Sequence, residues 1–281
     1  MPKIEQMENL LQYGFFQNAL LATLMISICC GITGTYIVSR RLVFIGGGIS
    51  HSSFGGLGIA YWLGLPPLAG AAAGAVLAAI GITRLGKDRK LREDSLIGIF
   101  WSAGMAVGLL FINMSPGYVP NLLSFLFGNI LTVTDELLVY AAILTSVIVI
   151  FFAAVLRPLF YCAFDSDYAR THRIAGTALE YSVMVVIALT IVLCMKLAGI
   201  ILVISYLTMP QNIAGIFTRD FKRLITLSTC ISVAGSAAGL YLSAVFDIPS
   251  GAAIVLCFLA ILAVCKTVRY AAVCRKSRIT S

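Results

Sequence analysis

Charge is the first thing this sequence lacks. Asp, Glu, Lys and Arg make up only 11% of its 281 residues, while hydrophobic residues make up 60%, against about 25% and 45–50% in soluble domains. A water-soluble fold of this length needs far more surface charge, and disorder or a coiled coil is excluded by the same figures. Histidine is nearly absent, with one at 51 and one at 172. No H-E-x-x-H occurs, so an intramembrane zinc protease lacks its ligands. Eight cysteines are present but form no C-x-x-C pair and lie mostly inside apolar runs. They are small packing residues, neither a zinc knuckle nor a disulfide framework. No G-x-x-x-x-G-K-[ST] and no G-x-S-x-G occurs, so neither ATP binding by the P-loop route nor a serine hydrolase is encoded. No cleavable signal peptide is evident, because the first apolar run is long and ends at Ser39-Arg40-Arg41. What remains is a chain whose main solvent is lipid.

A spanning helix needs about 20 largely apolar residues. Such stretches occur at 15–38, 43–65, 66–85, 95–114, 137–156, 181–197, 198–216, 224–246 and 249–268. The fold class is therefore all-α, a polytopic membrane helix bundle of nine spans, with eight as the alternative and a single domain over 1–281. The net charge of +8 does not point to nucleic acid. Eighteen of the twenty Lys and Arg fall at 40–41, 84–92, 157–173, 219–223 and 266–278, whereas the connections near 65, 115–136 and 247–248 carry none. That alternation places the amino terminus outside and the carboxyl terminus in the cytoplasm. Lys196 is an exception that can snorkel from a helix end. Gly70-Ala-Ala-Ala-Gly74 and Gly235-Ser-Ala-Ala-Gly239 are small-xxx-small patterns for close helix contact, within a subunit or across a dimer. The apolar segment 115–136 is too short to cross and is expected to be a re-entrant or interfacial helix.

The second span is the most informative. Seven glycines lie between 43 and 65, and Gly47, His51, Gly55 and Gly58 share one helical face. An ionisable residue well inside a span is a functional-site hypothesis by default, and imidazole suits zinc and other first-row divalent ions. A structural histidine bonded to a neighbouring helix fits equally well, since one histidine is not a metal site. Asp247, before Ile248 and Pro249, either caps the final helix or meets a metal ion. Asp135 and Glu136 lie in an outer connection, to attract cations, to meet a docking protein or simply to be solvated. Gln211 and Asn212 follow Pro210, where the helix can kink, and either line an exit path or bond between helices.

An ordered set of landmarks runs through the chain: Arg40-Arg41-Leu-Val-Phe-Ile-Gly with Ser50-His51, Glu93-Asp94-Ser-Leu-Ile-Gly-Ile-Phe, Leu126-Phe-Gly-Asn-Ile-Leu131, and Phe164-Asp165 with Ala169 and Gly176. Gly199-Ile-Ile-Leu-Val, Met209-Pro210, Gly239-Leu-Tyr-Leu-Ser and Asp247-Ile-Pro-Ser-Gly251 complete it. On these residues the chain resembles the membrane subunit of bacterial zinc/manganese/iron ABC importers from about residue 18 to 268. Members of that family commonly carry an aspartate four residues before the second-span histidine. Gly47 stands there instead, so half of a carboxylate–imidazole pair is missing.

The resemblance implies a permease in the bacterial plasma membrane that transports a divalent metal, zinc first, then manganese or iron. It binds no cofactor of its own and catalyses nothing. It implies a cytoplasmic ABC ATPase dimer that holds the ATP, an extracytoplasmic metal-binding protein, and a second copy of the chain. It carries a metal role to His51, and Asp247 is the replacement considered for the missing carboxylate. Gly47, Ser50, Gly55, Gln211 and Asn212 are the candidates for the path or its packing. The inner connection 157–180, with Phe164, Asp165, Ala169 and Gly176, couples to the ATPase, and a tail runs over 269–281. An ATP-independent secondary transporter and a non-transporting scaffold are the alternatives.

Overall fold

The computed structural model describes residues 12–87, 92–115, 128–164 and 176–279. Among them are nine α-helices, one short 3-10 turn at Ile130–Thr132 and no strand. The helices are α1 (Gly14–Ser39), α2 (Ile45–Trp62), α3 (Pro67–Leu85), α4 (Glu93–Met114), α5 (Asp135–Phe164), α6 (Gly176–Ala198), α7 (Ile200–Phe217), α8 (Phe221–Phe246) and α9 (Ser250–Ile279). A helix stands at each of the nine expected spans, and eight of them are long and apolar enough to cross a membrane. The less apolar one is α2, diluted by its glycines and serines.

Three boundaries differ from expectation. Helix α5 passes through Pro158 to Phe164 instead of ending at 156, and α9 continues to Ile279 beyond 268. In both, the helix continues past the apolar run that hydropathy detects. Helix α6 starts at Gly176, five residues before the expected span 181–197. Most of segment 115–136, and Asp165 and Ala169 of the coupling region, lie outside the described residues.

Helix ends follow local rules. Gly64, at φ +70°, terminates α2 while the Leu65 amide donates to the Ala60 carbonyl, the usual left-handed stop. Arg41 terminates α1 in the same way at φ +61°, with Leu42 N–H donating to Ile37 O at 2.9 Å. A side chain there costs about 1 kcal/mol that glycine would avoid. Gly199, at φ +83°, is the one residue between α6 and α7.

The chain divides into two compact units. One gathers residues 12–43, 128–142 and 197–279. Its centre is α1 packed on α7 and α8, with α9 against α7 and α8. The α1–α8 seam is hydroxylic: Ser232 Oγ donates to Ser27 Oγ at 3.0 Å, and Ser236 Oγ lies 3.5 Å from Ser27 Oγ. Thr35 Oγ1 lies 3.3 Å from Ser228 Oγ, which also donates to Gly31 O. The four-residue spacing of Ser27, Gly31 and Thr35, matched by Ser228, Ser232 and Ser236, places both sets on one stripe. The Gly235–Gly239 pattern seats α9, because added Cβ atoms would strike Phe258 and Ile254. That pattern therefore serves packing within the chain.

The other unit gathers 44–87, 92–115, 143–164 and 176–196. Here α2 is clasped by α3 and α4. At the end of α3, Lys87 meets Glu180 at 3.7 Å and lies over the Tyr181 ring. Such an exposed pair contributes between about 0 and 1 kcal/mol.

Candidate metal path on a glycine-packed helix

The glycines of α2 serve two different contacts. A Cβ on Gly55 would stand 2.9 Å from the Gly104 carbonyl, and one on Gly58 would stand 2.5 Å from that of Gly108. On α4, a Cβ at Gly104 would reach Ser52 O at 2.9 Å. Thus α2 and α4 touch backbone to backbone. A second set faces α3, where a Cβ on Gly56 would collide with Gly70 O and lie 2.8 Å from Gly74 N. The small-xxx-small pattern at Gly70 is likewise spent inside the chain.

That close approach positions His51. The ring is half-buried and points to α4, where Trp101 stacks on it with centroids 4.3 Å apart and planes 13° from parallel. Its Nδ1 lies 3.4 Å from Met105 Sδ. His51 does lie on the Gly55–Gly58 face of α2. Trp101 and Met105 were missed, although their i, i+4 spacing on an apolar span was visible in the sequence. Ser50, Ser52 and Ser53 donate to carbonyls of their own helix, at Gly46, Gly48 and Ser50. Ser50 and Gly47 are buried. Among the described residues no three His, Cys, Asp or Glu side chains gather into a metal cage.

In the other unit, Gln211 is 1% exposed and bonds between helices. Its Nε2 donates to Cys30 O at 2.8 Å and to Tyr206 O at 3.0 Å. The second bond has a local cause, since Pro210 has no N–H for the Tyr206 carbonyl four residues back. Bare Gly34 admits the amide, because a Cβ there would lie 2.5 Å from Nε2. Asn212 is exposed and donates to Thr208 O at 2.7 Å. Of the two amides only Gln211 joins helices.

Asp247 does not cap α9. It is exposed and left-handed at φ +53°, ending α8 with its N–H on Ser243 O. Pro249 supplies the first carbonyl of α9, to Ala253. Asp135 opens α5 and accepts from Asn18 Nδ2 at 2.7 Å. Lys196 is exposed in the last turn of α6. Beside Asp247, a cavity of about 440 Å³ is lined by Gly128–Leu131, Ala198, Ile201, Leu202 and Ile248–Ala252. Three landmark segments meet there. The contact depends on two left-handed glycines, since a Cβ on Gly128 would collide with Gly199 N.

Eight helices long and apolar enough to cross a membrane, with an imidazole on a glycine-packed helix beside them, define a multi-pass membrane protein. Residues 12–269 match the ABC 3 transport family, and the chain belongs to that family. It is 38% identical over 239 residues to a "Probable metal transport system membrane protein" of Chlamydia muridarum, covering 83% of this chain and 82% of that one. It is 32% identical over 253 residues to "Manganese transport system membrane protein MntC" of Halalkalibacterium halodurans, covering 89% and 85%. The solved structure "PsaBC from Streptococcus pneumoniae in complex with Fab" superposes with a TM-score of 0.81 at 28% identity, covering 93% and 95%. The chain is a metal-transport permease with the fold of that family.

Proposed function

We propose that this chain forms the translocation path of an ATP-driven importer of divalent transition metals in the bacterial plasma membrane, with its carboxyl terminus in the cytoplasm. Zinc, manganese and iron are the candidate cargoes; similarity to proteins named for manganese and iron transport favours those two, and the imidazole suits zinc as well. A second copy of the chain completes the path. A cytoplasmic ATPase dimer drives it through 157–180, where Phe164, Asp165, Ala169 and Gly176 lie, and an extracytoplasmic binding protein delivers the ion.

His51 is the proposed ligand on the path and Asp247 an entry-side contact for the arriving cation. The observation that carries this reading is the half-buried imidazole on α2 in a chain of the ABC 3 transport family. A station with few protein ligands suits transit, because an ion held too tightly does not leave. The acidic side chains of the described helices stand near helix ends, which disfavours a proton- or sodium-coupled secondary transporter.

Uptake of radiolabelled zinc, manganese and iron in a deletion strain carrying the wild-type or the His51→Ala chain tests the proposal. The variant should reach the membrane in normal amount, co-purify with the ATPase, and transport near the deletion background. Unchanged uptake by His51→Ala would remove the ligand assignment. Normal metal uptake in the deletion strain itself would remove the importer.

A further inference from the structure

We infer that Met105 supplies a second metal donor beside His51, and that this thioether biases the path toward borderline and soft divalent ions over hard ones. The inference rests on His51 being on the path and adds to it a residue and a ligand class. His51 Nδ1 and Met105 Sδ are 3.4 Å apart. Nitrogen at about 2.05 Å and a thiolate sulfur at about 2.3 Å from one ion, at a tetrahedral angle, lie about 3.5 Å from each other, and a thioether, the weaker donor, stands somewhat farther out. The pair, which without an ion is in N–H···S hydrogen-bond contact, therefore reaches chelate separation by a small side-chain opening.

Three further features support a donor pair. The backbones carrying it are fixed by direct contact, with Gly55 and Ser52 against Gly104, the residue preceding Met105. Trp101, one turn before Met105, stacks flat on the imidazole and holds its plane. Both donors are half-buried, so neither is sealed in the packing of the chain. Oxygen donors are missing at the same level of α2. The hydroxyls of Ser50, Ser52 and Ser53 are turned to carbonyls of their own helix, and Gly46, Gly47 and Gly48 have no side chain to offer. Oxygen suits manganese and magnesium, whereas imidazole and thioether suit softer ions.

Trp101 is a local reporter, since the chain has only one other tryptophan, Trp62. The full-length chain with Trp62→Phe, purified in detergent, is titrated with cobalt(II) alone and with manganese(II) alone while Trp101 emission is followed. Cobalt should quench at lower concentration than manganese. Met105→Leu should raise the cobalt midpoint about tenfold and the manganese midpoint less than about twofold. Met105→Gln, which puts a harder oxygen at similar reach, should narrow the gap between the two metals; it covers the case in which the leucine variant fails to fold. A cobalt midpoint unchanged in Met105→Leu, or equal rises for both metals, would overturn the thioether assignment. His51→Ala separates the two claims. If it abolishes quenching while Met105→Leu has no effect, only the thioether falls; if quenching survives in His51→Ala, the imidazole reading falls as well.

Discussion

One seam in each compact unit shows a different way of holding helices together. Around α2, side chains are removed, and Gly55, Gly56 and Gly58 let backbone meet backbone. Between α1 and α8, side chains are kept, and Ser27, Thr35, Ser228, Ser232 and Ser236 bond across the seam. Lipid offers no hydrophobic drive to either, so van der Waals contact holds the first, and hydrogen bonding adds to it in the second, where bare Gly31 also faces Thr229. The difference matters for tolerance. A steric seam fails when an atom is added, and a hydroxylic seam fails by degrees when one is removed.

Substitutions break this comparison in order of size. Gly58→Ala is expected to destabilise most, by about 3 kcal/mol or more, because the new Cβ meets the Gly108 carbonyl and Cα, which cannot swing aside. Thermal unfolding in detergent measures it. Gly98→Ala on α4 is the control, since its Cβ would meet nothing within 4 Å; it should be neutral or stabilise by up to about 1 kcal/mol. A large loss from Gly98→Ala would show that added bulk is harmful everywhere on α4 and that the seam is not special.

Next comes Gln211→Leu, which removes the hydrogen bonds to the Cys30 and Tyr206 carbonyls and should cost about 1–3 kcal/mol. Smallest is Ser232→Ala, expected to cost about 0.6 kcal/mol, the average for a hydrogen bond between membrane helices. If Ser232→Ala costs as much as Gly58→Ala, the contrast between the seams is wrong.

Much of this fold was legible in the sequence because apolar run length is the dominant signal in lipid. The span 15–38 falls within one residue of α1 at each end. The breaks at Gly64 and Gly199 coincide with residues that tolerate positive φ. Boundaries failed where helix and membrane part company, as at Pro158 in α5 and along the carboxyl-terminal part of α9, since hydrogen bonding does not stop where apolarity does. The site was half legible. His51 stood out as an ionisable residue in a span, but Met105 and Trp101 became its neighbours only through the packing of α2 on α4. The Asp247-Ile-Pro sequence misled because the same residues that can start a helix can also end one, and the left-handed geometry chose the latter.

The Gln211 amide has a mechanical consequence. One nitrogen stands in for the proton donor that Pro210 withholds, and the same nitrogen tethers α1 at Cys30. Bending α7 at its proline stretches one arm of this clamp, and drawing α1 away pulls the other. Flexing of one helix and detachment of its neighbour are thereby made a single event, and a side chain two-thirds of the way along α7 acts as the pin of a joint.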